Sequence, residues 1–108
     1  MKLIDIIESL KTRETAEQLA ASKLPGINYW LVDLYMENEI DTESKIEFIN
    51  GRSVSHAQFI ELEGKKYNNF FQLDEAQHLV QDFVNLYGKD YDNKALADRL
   101  YSYWLNDA

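Results

Sequence analysis

The chain predicts an α+β fold: a predominantly helical single domain with a small antiparallel β-hairpin. Three observations carry that expectation. Apolar residues recur at helical spacing through most of the chain, enough for about five helices. Asn50-Gly51 sits between two short strand-like runs. There is one proline and there are four glycines, too few for a linker or a low-complexity segment. With 108 residues and 45% apolar content, residues 1–108 read as one globular domain able to bury a single core.

In chain order, Lys2–Lys11 places Leu3, Ile6, Ile7 and Leu10 on one helical face. Thr12 then reads as an N-cap, with Glu14 in the first turn that follows. Ala16, Leu19, Ala20 and Leu24 form the next stripe, and Pro25-Gly26 ends it. Asn28–Glu39 reads as a third helix capped by Asn28, with Ile27, Trp30, Leu31, Leu34 and Tyr35 along one side. The competing reading is a strand, because Trp30, Val32, Leu34 and Met36 also alternate.

Asn50-Gly51 suits a type I′ turn, which pairs Lys45–Ile49 with Arg52–Val54. A short helix over His56–Glu63 follows, capped by Ser55 and closed by Gly64. Its competitor is a strand, Gln58–Glu63, turning at Gly64 into Lys66–Phe71. The C-terminal third reads as two helices. Asp74 and Gln77 make a capping box, and Gly88 is the stop. Asp92 caps the last helix, which carries Leu96, Leu100, Tyr103 and Trp104 on one face.

The stretch "TAEQLAASKLPGINYWLVDLYMENEID", Thr15–Asp41, has the outline of a helix-turn-helix. A reading helix starting near Asn28 would present Asp33 and Glu37 to phosphates, and Lys23 is the one cation between Glu14 and Lys45. That surface repels nucleic acid instead of releasing its counterions, so no direct nucleic-acid binding is expected.

Motifs for chemistry are missing. Cysteine is absent, which removes disulfides and thiolate metal sites and points to a cytoplasmic setting. His56 and His78 stand isolated in sequence, so no metal and no cofactor is expected. "KDYDNK" alternates Asp90 and Asp92 but puts Lys94 where a calcium loop needs an oxygen ligand. No G-x-S-x-G, S-x-x-K or P-loop pattern occurs, and the chain is not expected to be an enzyme. No apolar run approaches the length of a membrane span.

The remaining features are charge and aromatics. The formal net charge is −8, from 19 acidic and 11 basic residues. Six of those acids crowd Asp33–Glu47 against Lys45. Seven tyrosines and two tryptophans suit a surface that grips another protein. The expected binding surface is Tyr29, Trp30, Asp33, Tyr35, Glu37, Glu39, Asp41 and Glu43: aromatic anchors inside an acidic rim. The expected function is a small acidic binding module, an inhibitor or immunity-type protein that occludes a basic, nuclease-like or nucleic-acid-binding partner. A helical regulatory domain with a helix-turn-helix-like N-terminal unit is the alternative, and a small enzyme comes after it.

Overall fold

Apolar residues at three- and four-residue spacing open the chain. In the computed structural model, which describes residues 1–107, they form α1 (Leu3–Ile7) and a 3₁₀ turn over Glu8–Lys11. Leu3, Ile6, Ile7 and Leu10 are fully buried. Thr12 breaks this run with extended backbone, and its Oγ1 accepts the Thr15 N–H at 3.2 Å to start α2 (Arg13–Lys23). That is the expected cap.

The sequence reading fails in the middle of the chain. The protein is α+β with a four-stranded antiparallel sheet, not a predominantly helical domain with a small hairpin. The strands are β1 (Val32–Glu37), β2 (Ile46–Asn50), β3 (Phe59–Leu62) and β4 (Lys65–Gln72), in the order β2-β1-β4-β3. Asn28 does cap, accepting the Trp30 N–H at 3.2 Å, but it caps a single 3₁₀ turn, Tyr29–Leu31. The chain then extends into β1. Without a third helix there, the tri-helical unit required by the helix-turn-helix reading does not form.

Two further corrections concern turns. Asn50-Gly51 makes no hairpin: Asn50 has φ −67, and its side chain accepts the Arg52 N–H to start a 3₁₀ turn over Gly51–Val54. β2 pairs instead with β1, from Val32 opposite Asn50 to Met36 opposite Ile46. The tight hairpin lies at Glu63-Gly64, where φ is 52 and 79, the positive pair that a type I′ turn requires. The expected helix over His56–Glu63 is therefore replaced by the strand Phe59–Leu62, with Leu62 opposite Lys65.

β1 and β4 pair with one irregularity. Leu34 faces Phe71, but Tyr35 faces Asn69, so Phe70 is an extra residue in β4. Its ring lies 4.7 Å from Phe71 and 6.2 Å from Trp104.

α3 (Leu73–Tyr87) starts one residue before the expected Asp74 cap. Asp74 Oδ1 accepts the Glu75 N–H, while the Gln77 amide is buried and bonds Gln81, so the expected capping box is absent. Gly88 ends α3 as expected. Asp92 Oδ1 accepts the Ala95 N–H at 2.8 Å and starts α4 (Asn93–Asp107). Val32, Leu34 and Met36 from β1 join the helices in one core, and α4 packs back on α1, with the Asn93 amide donating to Glu8 in the 3₁₀ turn that follows α1. Among the described residues no helix is long and apolar enough to cross a membrane.

Candidate functional site

Side chains alternate along a strand, so Asp33 and Tyr35 point away from the face that carries Val32, Leu34 and Met36. Both are nevertheless fully buried. The segment after β2 covers them. Ala57 contributes a carbonyl to the Tyr35 hydroxyl, and His56 Nδ1 lies 2.8 Å from Asp33 Oδ2. From β4, Asn69 donates its amide to the same Asp33 oxygen at 3.3 Å. Burial and the Asp33 charge push the Tyr35 phenol above its ordinary pKa.

The pair is asymmetric. Asp33 is inaccessible, and its Oδ1 has no hydrogen-bond partner. The His56 side chain is 42% exposed. With Asp33 as the carboxylate, Nδ1 is the donor, and a neutral ring presents Nε2 as an acceptor.

The covering segment is held under backbone strain. Ser55 and His56 are consecutive non-glycine residues with φ of 54 and 50. Such conformations cost of order 1–3 kcal/mol each and persist only where their surroundings enforce them. Here the His56 N–H returns to Gly51 O at 2.8 Å, and the Ala57 N–H to Val54 O at 3.1 Å. Gly51 is buried beneath the pair. A Cβ there would overlap His56 at Cε1 and Nδ1 and stand 2.6 Å from Asp33 Oδ2.

Beside the pair lies an open cleft of about 400 Å³, lined by Asp33, His56, Gln58, Asn69, Phe70, Gln72 and Trp104. A second hollow of about 320 Å³ shares Gln58, Asn69 and Trp104 and adds Asn38, Glu39, Ile40 and Asn68. The two are lobes of one groove. Its wall is Trp104, most of its polar side chains are amides, and among the described residues no Lys or Arg lines either lobe. Among the described residues no three His, Cys, Asp or Glu side chains come together as a metal site.

The expected binding residues are divided by this fold. Trp30, half exposed, sits before β1 with the Arg13 guanidinium 4.7 Å from its ring centroid. Tyr29 packs edge-on against Trp30, and its hydroxyl is buried without a partner. Burial, reinforced by the Asp74 charge, pushes that phenol up to about 12. Asp33 and Tyr35 lie in the middle of β1, inside the protein. Glu37 pairs with Lys65, Glu43 pairs with Lys2, and Asp41 Oδ2 accepts the Glu43 N–H in the loop after β1. Glu39 lines the groove. The length of β1, roughly 20 Å at the usual rise per residue, thus separates Trp30 from the acidic loop.

His56, Gln58, Asn69 and Trp104 did not emerge from sequence as site residues. Asp33 and His56 meet across 23 positions, a separation that no local pattern records. No family model matches the chain, and no curated protein or solved structure matches it.

Proposed function

We propose that the protein is a small acidic binding module, an inhibitor or immunity-type protein, that grips a basic partner protein in the groove beside Trp104. One observation carries this reading: a groove with an aromatic wall, hydrogen-bonding amides, the Glu39 carboxylate and the buried Asp33 behind it has, among the described residues, no Lys or Arg in its lining. The net charge of −8 supports it. A partner rich in lysine and arginine is drawn by the long-range field, and an extended basic segment finds amides for its backbone and a ring for its side chains. The anchor moves from Trp30 and Tyr35 to Trp104, while the steering charges remain Glu39, Asp41 and Glu43. The proposed role is stoichiometric occlusion without catalysis, nucleic acid or cofactor, in the cytoplasm, where a cysteine-free chain is at home.

The test is binding kinetics with the partner captured from the native host, at two salt concentrations. Reversing Glu39, Asp41 and Glu43 to Lys is expected to slow association about tenfold at low salt and much less at high salt. Trp104→Ala is expected to speed dissociation, with circular dichroism confirming the fold because Trp104 also packs on Phe70. Association indifferent to both salt and charge reversal would sink the reading.

A further inference from the structure

We propose that the lobe beside Asp33 and His56 is a subsite for one cationic side chain of the partner, arginine in preference to lysine. The inference rests on the binding-module reading and names what the groove recognises.

The groups at this end of the groove favour a donor carrying positive charge. Asp33 is buried, and its own neighbours donate to Oδ2 alone, leaving Oδ1 without a partner. Its negative charge is therefore only partly compensated, and an ion in the cleft senses it without touching it, because the field is weakly screened through protein. His56 has Nδ1 committed to Asp33, and its partly exposed ring forms part of the lining. Gln58 and Gln72 supply side-chain amides along the same lining, and Trp104 supplies an aromatic wall.

Among the described residues no Lys or Arg lines this lobe to meet an anion. Nor, among the described residues, does any Ser, Thr, Cys, Lys or Tyr line this lobe. A guanidinium matches what is present. It is planar, stacks on an indole, carries five donors for separate acceptors and is weakly hydrated. An ammonium is a compact, strongly hydrated point charge and uses the ring less well.

The site is also built at a cost. Two consecutive strained residues and a glycine with no room for a side chain hold the imidazole against Asp33. A loop closed only to cover the sheet would not require the imidazole to remain so exposed.

The experiment titrates the full chain with N-acetyl-arginine methylamide, with the lysine analogue, and with the citrulline analogue, which keeps the shape of arginine and removes its charge. Two-dimensional NMR follows the Trp104 indole and His56 ring signals. Saturable shifts at both residues are expected with arginine, with affinity about tenfold lower for citrulline and severalfold lower for lysine. Trp104→Ala and His56→Gln are each expected to abolish the saturable response. The comparison of the three compounds on the unmodified protein needs neither variant to fold. Equal affinity for arginine and citrulline, equal affinity for lysine, or no saturable shift at Trp104 and His56 would overturn the subsite. If it falls while partner association still depends on salt and on Glu39, Asp41 and Glu43, the binding-module reading stands without it. If both dependences are absent, both readings fall.

Discussion

Gly51 and Gly64 each follow a strand, and they are glycines for opposite reasons. Gly64 has φ 79 and nothing within 4 Å of where a Cβ would stand. Its requirement is backbone freedom, and the Glu63-Gly64 turn is a local device joining β3 to β4. Gly51 has no positive φ. Its requirement is space, because the imidazole of His56 and the carboxylate of Asp33 lie where its side chain would be. One turn is specified by its own two residues. The other is specified by a strand that precedes it by many positions, and it carries the candidate site.

Gly51→Ala is the severest way to break this contrast. The added methyl must displace His56 or Asp33, and the expected loss is about 3 kcal/mol of stability, measured by urea unfolding. The His56 ring signals should shift with it. A loss no larger than that of Gly64→Ala would show that the covering segment yields freely. His56→Ala comes next. It leaves Asp33 buried with Asn69 as its one donor, at an expected cost of about 2 kcal/mol in the same assay. Gly64→Ala meets no neighbour, so its expected cost is the backbone strain alone, about 1 kcal/mol, with the His56 signals unmoved. The smallest effect runs the other way. Glu63 holds φ 52 without being a residue suited to it, and Glu63→Asn is expected to raise stability by about 0.5 kcal/mol, read as a small rise in melting temperature. A fall instead would mean that Glu63 makes a contribution the turn geometry does not account for.

The helices were legible because their signals are local. Leu3, Ile6, Ile7 and Leu10 share a face, Thr12 and Asp92 accept the N–H groups their positions imply, and Gly88 ends α3. The sheet was hard to read for a physical reason. β1 is covered on both sides, so Val32 to Met36 are all buried and the period-two contrast of a half-exposed strand is lost. Asn28 deepened the ambiguity, since a cap for one 3₁₀ turn looks the same in sequence as a cap for a helix. Asn50-Gly51 misled because the dipeptide records a glycine without saying whether conformation or space demands it.

The candidate site was legible only in fragments. Asp33 and Tyr35 stood out as an acid and an aromatic, but their residue types suggested a surface, whereas the covering segment Gly51–Gln58 buries both. Glu39 was placed on a binding rim and lines the groove. Trp104 was assigned to a helix face and lines both lobes, because the end of α4 reaches the groove.

The packing of α4 on α1 also bears on how the chain comes off the ribosome. The apolar face of Leu3, Ile6, Ile7 and Leu10 emerges well before Leu96 and Leu100, which belong to the same core. At the usual pace of synthesis that face waits several seconds for its cover. Until α4 is made, that apolar face lacks part of its cover, and α4 closes over it as a latch.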